Sequence, residues 1–438
     1  MTGGARQTAY TVLMRCRKSG AWSEDAISSE CIKAGLDMRD TALCSRIVMG
    51  VLQNLTLLDF RIAEYCATPL RKLDPRVLDI LRLSAYQLLM MDKIPVSAAV
   101  NEGVQLCKRN GLARAAGLVN AVLRRLAEHR ERLTEIPGKG TAAYLATKYS
   151  HPLWLVEEYV EQYGYDFAEQ ALSANNDRAP IYAHVNSLRP AELMKELSAF
   201  GARETGLDGC VELESAAGIA GTEAFRSGQF YIQDIAAKLA ALTAGAQPGM
   251  TVLDACAAPG GKSIAAAMAM KNTGRVISCD IHEKKLNLIR ENGNRLGISI
   301  IEPRAMDARR PQEDLVGAAD LVIADVPCSG LGVIRRKPEI RWKPQEELER
   351  LPEIQRDILE GLAPCVKPGG ILLYSTCTVR SRENEELAGK FLADHPEFSA
   401  ESFVLPLGIG NVSEGMFTFW PHLHRTDGFF VCKMRKKP

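Results

Sequence analysis

The sequence predicts three consecutive segments of different class. Residues 1–140 read as an all-helical bundle, 141–240 as a small α+β connecting segment, and 241–438 as an α/β segment on a parallel sheet. Three observations carry this. Apolar residues recur at three-and-four spacing through the first segment. Short β-rich runs mix with helical ones in the second. Beyond residue 250 strand-like and helical runs alternate, the pattern of βαβ units. A length of 438 residues also suits about three domains.

In the first segment, "LCSRIVMGVLQNLTLLDFRIAEY" places Ile47, Val48, Val51, Leu52, Leu55 and Leu58 on one apolar face. "VLDILRLSAYQLL" repeats the pattern with Leu78, Leu81, Ala85 and Leu88. "VSAAVNEGVQLCKR" and "GLVNAVLRRLAEHRERL" follow, each ending in basic residues that suit a helix C-terminus. "EIPGKGTAAY" marks the boundary. The connecting segment begins with the helical "SHPLWLVEEYVEQYG" and holds the short strands "IYAHVNSL", "GCVELES" and "GQFYIQD". In the third segment the strands are "TVLDACA", "RVISCD", "IEPRAMD", "ADLVIADVPC" and "GGILLYSTC", with helices at "SIAAAMAM", "EKKLNLIRENGNRLG" and "PEIQRDILEGLAPCV". "GMFTFWP" and "GFFVCKMRK" read as a closing hairpin.

Composition narrows the function classes. No run reaches the roughly 18 apolar residues of a membrane helix, and the N-terminus lacks the layout of a secretory signal. The expectation is a cytoplasmic, monomeric protein with no membrane partner. Twelve cysteines are scattered and none forms a C-x-x-C pair, so no metal is expected. The net charge of +1 conceals an asymmetry. The first 140 residues carry 21 Lys and Arg against 14 Asp and Glu, and the remainder 33 against 39. A basic module on a mildly acidic one suits a phosphate-rich partner.

The stretch "DACAAPGGKS" ends like a phosphate-binding loop, but that loop needs glycine where Cys256 stands. What remains is a strand, a turn of small residues and a helix N-terminus, where a ligand can approach the backbone. The next strand ends in Asp280, at the distance expected of an acid that binds ribose hydroxyls. S-adenosylmethionine, with a ribose and no phosphate, suits this better than ATP or NAD; a purely structural turn is the alternative. Asp325 and Cys328 in "ADVPCSG", and Cys377 in "LLYSTCT", stand at two further strand ends. A thiolate adding to carbon 6 of cytosine would make carbon 5 nucleophilic, with Asp325 as the acid at ring N3. A methyltransferase acting on an exocyclic amine would carry an aromatic where "DVPC" has Cys328.

"CAAPGGK", "DVPCSG" and "STCT", flanked by "QD" (Gln233, Asp234) and "GVIRRKPEIRW", together resemble the RNA cytosine-5 methyltransferase family. The helical first segment resembles the NusB RNA-binding domain, a combination typical of the family's Sun/Fmu branch. The resemblance implies a Rossmann-like methyltransferase domain after a NusB-like one. It also implies a cytosine of 16S ribosomal RNA as substrate (the 967-type site), on free RNA or an early small-subunit assembly particle. The cofactor would be S-adenosylmethionine, leaving as S-adenosylhomocysteine.

Residue by residue, the resemblance assigns Cys256, Ala257, Ala258, Pro259, Gly260, Gly261 and Lys262 to the cofactor turn. Asp280 would hold the ribose, Asp307 face the adenine, and Asp325 line the cofactor and base sites. Cys377 would be the nucleophile and Cys328 assist product release, with Lys262 at the catalytic groups. DNA cytosine-5 enzymes use the cysteine of a Pro-Cys pair, which would nominate Cys328 instead; the second cysteine favours RNA and Cys377. The cluster Arg335, Arg336, Lys337, Arg341 and Trp342 is expected to meet RNA by charge and stacking. His184 stands where the family usually has arginine before Val-Asn, a departure from the resemblance at one RNA contact that leaves the class unchanged. The alternative from another class is a non-catalytic assembly factor with a relic fold.

Overall fold

A computed structural model describes residues 4–189 and 191–438. The chain divides into two units: one runs to Asp177 and takes in Ile334–Lys343, and the other comprises Arg178–Val333 and Pro344–Pro438.

The first unit is helical: α1 (Ala5–Ser19), α2 (Ser23–Ala34), α3 (Met38–Gln53), α4 (Leu55–Ala63), α5 (Pro75–Met90), α6 (Val96–Arg109), α7 (Ala116–His129), α8 (Ala142–Lys148), α9 (Leu153–Tyr163) and α10 (Tyr165–Ala174). Its core takes the faces marked by spacing, with Ile47, Leu58, Ile62, Ile80 and Leu81 fully buried. Asp37 and Asp74 cap α3 and α5 by accepting backbone N–H bonds from Asp40 and Arg76. A Cβ on Gly50 would lie 1.9 Å from the Tyr86 ring, so glycine there lets α3 and α5 approach.

Two expectations change here. The apolar run through residues 47–58 is not one helix, because α3 and α4 meet at Asn54 with a bend of 78°. The Asn54 amide turns back onto Gly50 O at 2.9 Å, competing with the helical ladder. The expected helix within residues 150–164 forms as α9, but α8, α9 and α10 join the helical unit, with α8 packed on α4, and the first strand begins at Ile181. The all-helical region therefore ends near Asp177.

The second unit opens with an antiparallel sheet of β1 (Ile181–Val185), β2 (Arg203–Glu204), β3 (Cys210–Leu213) and β4 (Phe230–Ile232), in the order β2-β3-β1-β4. It carries the short helices α11 (Leu193–Glu196) and α12 (Glu223–Arg226). Helix α13 (Ile235–Thr243), capped by Asp234, leads to the main sheet.

That sheet is built from β5 (Thr251–Asp254), β6 (Arg275–Asp280), β7 (Ile301–Ala305), β8 (Ala319–Asp325), β9 (Val366–Thr376), β10 (Phe398–Ala400), β13 (Met416–Phe419) and β14 (Phe429–Lys436). A separate hairpin pairs β11 (Phe403–Leu405) with β12 (Gly410–Val412). The order is β10-β14-β9-β8-β5-β6-β7, with β13 also on β14. β5 to β9 are parallel, and their residues such as Val252, Ile277, Val322 and Leu372 are buried as strands covered on both faces must be. The expected closing hairpin forms between β13 and β14, but β14 also enters the sheet antiparallel to β9. Helices α14 (Gly261–Ala269), α15 (Leu286–Leu296), α16 (Gln345–Leu348), α17 (Leu351–Leu362), α18 (Glu385–Asp394) and the short α19 (Pro421–His424) belong to the same unit.

From β5 the chain steps to β6 and β7 on one side, then crosses to β8 and β9 on the other. Such a reversal leaves a crevice at the strands' carboxyl ends, where ligands sit in open α/β sheets.

Candidate active site

Asp254, Asp280 and Asp325 each close a strand at that carboxyl edge, and Cys377 follows the last residue of β9. The topology thus gathers residues spread over 124 positions of sequence.

The turn from Cys256 to Gly260 joins β5 to α14. Gly260 has φ +105°, a region that disfavours any side chain, and its N–H returns to Ala257 O at 2.6 Å. Ala257 N donates to Cys279 O on β6. A Cβ on Gly261 would meet Gln233 Nε2 at 2.8 Å, so the small residue makes room for the glutamine of "QD". Behind the turn, Ser278 Oγ donates to Ser263 Oγ at 2.7 Å, and Ser263 Oγ donates to Asp254 Oδ2 at 2.6 Å. Asp254 is fully buried, and burial raises its carboxyl to about 7.

Lys262 lies in the first turn of α14 with its side chain buried. Its Nζ is 2.6 Å from Asp325 Oδ2 and 4.8 Å from the centre of the Phe429 ring. Asp325 Oδ1 accepts from Ser375 Oγ at 2.9 Å. The Asp307 carboxylate is taken by Arg309, which approaches both oxygens and holds the carboxyl below its usual range.

The sulfurs of Cys328 and Cys377 are 3.2 Å apart, and both residues are half-buried. The hydrogen bond with Cys377, burial, and the nearby Cys377 and Glu383 charges push the Cys328 thiol well up. Either thiol can be the donor in this contact.

Comparisons with known proteins identify the family. The model of the 16S rRNA methyltransferase RsmB/F family matches residues 241–435, the NusB family 4–128, and the ferredoxin-like domain of RsmF/B-like methyltransferases 151–219. A probable ribosomal RNA small subunit methyltransferase B of Bacillus subtilis is 38% identical, covering 99% of this chain and 98% of its own. The chain belongs to the RsmB/F family of rRNA methyltransferases. A second RsmB/F relative, from Synechocystis, carries the same name and is 34% identical over 99% of each chain. The crystal structure of PH0851 superposes with a TM-score of 0.83 at 27% identity, covering 100% of this chain and 99% of that one. With membership of an enzyme family established and the site intact, the relic-fold alternative has no support.

RsmB/F enzymes use S-adenosylmethionine, and the residues present fit it. Asp280 Oδ1 accepts from His282 N at 2.9 Å, which leaves Oδ2 for a ribose hydroxyl. Gln233 Oε1 is a buried acceptor without a hydrogen-bond partner among the described residues. Acceptors in need of donors suit the cofactor's hydroxyls and ammonium group, not a phosphate.

In this RsmB/F protein the expected RNA cluster is corrected at Arg335 and Arg341, which are buried. Arg341 is fully buried, and burial lowers its guanidinium to about 9. Its Nη1 donates to Gln53 O at 3.1 Å, Ser150 O at 2.9 Å and Asn176 Oδ1 at 2.9 Å. The ends of α3, α8 and α10 meet at this one side chain, and each presents carbonyls at the negative pole of a helix. Arg341 is thus an internal capping group, not an RNA contact. Trp342 donates its indole N–H to Leu52 O, Lys337 lies over the Trp22 ring, and Arg335 is buried. Arg336 is half-buried. His184 is buried too, held neutral by a shift to about 4, and donates to Gln233 O.

Sequence reasoning passed over Gln355, Glu383 and Asn384, which brace the two cysteine loops, and Phe429 beneath Lys262. No local pattern marks the first three; only the fold brings them to the site.

Proposed function

We propose that the protein methylates carbon 5 of a cytosine in 16S rRNA, at the 967-type site, through a covalent adduct between Cys377 and carbon 6. The observation that carries this is the pair of sulfurs 3.2 Å apart beside the Lys262–Asp325 ion pair. An enzyme acting on oxygen or an exocyclic nitrogen has no use for two facing thiols.

The chemistry follows from the residues. A target base in structured RNA must leave its stack, at a cost of a few kcal/mol. The basic first 140 residues suit the RNA phosphates that would offset this, on free RNA or an assembly particle. Cys377 releases its thiol proton to solvent, its Sγ forms a bond to carbon 6, and the ring's electrons move toward carbon 5 and N3. The proton held between Lys262 Nζ and Asp325 Oδ2 is drawn to N3, which neutralises that charge. S-adenosylmethionine supplies an electrophilic methyl group for the nucleophilic carbon 5. Asp280 would orient its ribose, Asp307 would face the adenine, and the turn from Cys256 to Gly261 would form the floor of the cofactor site. The N3 proton returns to the Lys262–Asp325 pair, the carbon-5 proton leaves to solvent, the 5,6 double bond re-forms, and the S–C6 bond breaks with its electrons on Cys377 Sγ. Cys328 Sγ–H, hydrogen-bonded to the departing Cys377 sulfur, favours that release.

RNA carrying 5-tritiated cytidine tests the reading. Tritium should appear in water one-for-one with methyl transfer. Methylated RNA that keeps its tritium would show transfer to another atom and overturn it.

A further inference from the structure

Each cysteine loop has its own brace. On the Cys377 side, Thr376 Oγ donates to Asn384 Oδ1 at 2.6 Å, and Asn384 Nδ2 donates to Thr378 O at 3.1 Å. The nucleophile is thus held on both flanks by one buried amide. On the Cys328 side, Gln355 Nε2 donates to Pro327 O at 3.0 Å and to Glu383 Oε2 at 2.9 Å. Glu383 Oε2 also accepts the Ser329 N–H at 2.9 Å. Pro327, Cys328 and Ser329 lie beyond the end of β8, so no strand ladder fixes them.

Glu383 is fully buried on a short turn five residues after Thr378, beyond the end of β9, and its Oε1 has no hydrogen-bond partner among the described residues. Arg380 Nη1 is 3.9 Å from that oxygen, and Arg380 itself is also bound to Glu349. A buried carboxylate is costly to keep unless its acceptor role is needed. Here the role is to receive two N–H groups at once, one from the Cys328 loop and one from the glutamine that grips the same loop.

We propose that Glu383, with Gln355, is the positioning residue that holds Cys328 within reach of the departing Cys377 sulfur, and that Asn384 separately positions Cys377 for attack. The proposal rests on the covalent reading above. While both cysteines are free, their sulfurs touch and support each other. Once Cys377 is bonded to carbon 6 it has no thiol hydrogen left to share, and Cys328 is kept within reach of the departing sulfur by the anchors of its own loop: the Glu383–Gln355 brace, and Ser329 Oγ, which donates to Thr378 Oγ1 at 2.8 Å. The two braces therefore act on different steps: Asn384 on addition, Glu383 on release.

The test compares full-length Glu383→Ala, Glu383→Gln, Gln355→Leu, Asn384→Ala and Cys328→Ala on unmodified substrate RNA. Turnover and denaturation-resistant enzyme–RNA adduct are measured alongside thermal stability. Glu383→Ala and Gln355→Leu should accumulate adduct, as Cys328→Ala does, with turnover slowed on the order of ten- to a hundredfold. Glu383→Gln keeps a carbonyl acceptor for both N–H groups and should restore turnover. Asn384→Ala should slow turnover without accumulating adduct. Gln355→Leu removes a buried, unpartnered Oε1 as well as the two bonds, so it carries the test if Glu383→Ala does not fold. A purely structural role would lower addition and release together, and loss of turnover without adduct in Gln355→Leu overturns the proposal. So does normal turnover there. If Cys328→Ala itself accumulates no adduct, the covalent reading has failed instead.

Discussion

Replacing Arg341 by alanine should destabilise the helical unit strongly while leaving RNA binding electrostatics unchanged. The guanidinium makes three hydrogen bonds of 3.1 Å or less, two to backbone carbonyls and one to the Asn176 side chain. Each buried acceptor left without a donor costs about 1–3 kcal/mol. The relief of no longer burying a charge offsets part of the sum, so a net loss of roughly 3–5 kcal/mol is expected. For a unit of this size each kcal/mol lowers the melting temperature by about 2–4 °C, so the shift should be on the order of 10 °C. Arg341→Lys keeps the charge but not the planar fork and should fall between. Tryptophan fluorescence reads the correct unit, since Trp22, Trp154 and Trp342 belong to it and only Trp420 lies in the other. If Arg341 instead met a phosphate, the variant would melt within a degree or two of the parent. The slope of log affinity against log salt would then fall by about 1. That pair of results would refute the capping role.

Two further outcomes concern the cofactor side. Asp280→Asn keeps an acceptor for His282 N but turns the second oxygen into a donor, so S-adenosylmethionine affinity by calorimetry should weaken about ten- to a hundredfold; unchanged affinity would remove the ribose assignment. Asp254 keeps its proton to about pH 7 in the folded chain, against 3.8 for a free carboxyl. The unfolded chain alone ionises between those values, so folding stability should fall as pH rises from about 4 to 7, by up to roughly 4 kcal/mol. Asp254→Asn should flatten that decline in denaturant titrations at pH 4.5 and 7.5, and an identical decline in both proteins would exclude Asp254 as its source.

Much of the site was legible because its chemistry is local. Cys256 in place of a loop glycine excluded triphosphate binding, and the small residues up to Gly261 announced a turn that a ligand can approach. Asp280 and the two cysteines stood at strand ends, and a parallel sheet brings strand ends together. What stayed hidden depends on long-range packing. The basic run at Arg335–Arg341 reads as exposed because charged side chains usually are. Only the convergence of three helix ends gives Arg341 enough carbonyls to be buried. Glu383, Asn384 and Gln355 are ordinary polar residues in sequence, and their roles exist only once β8, β9 and α17 are adjacent. The break at Asn54 was masked by apolar spacing that continues across it, since α3 and α4 each need such a face.

The most direct test of the covalent account uses RNA with 5-fluorocytosine at the target, where fluorine blocks the elimination that frees the enzyme. With S-adenosylmethionine present, the parent protein and Cys328→Ala should form an adduct that survives denaturation, and Cys377→Ala should form none. An adduct that persists in Cys377→Ala and disappears in Cys328→Ala would assign the nucleophile to the other sulfur and contradict the account.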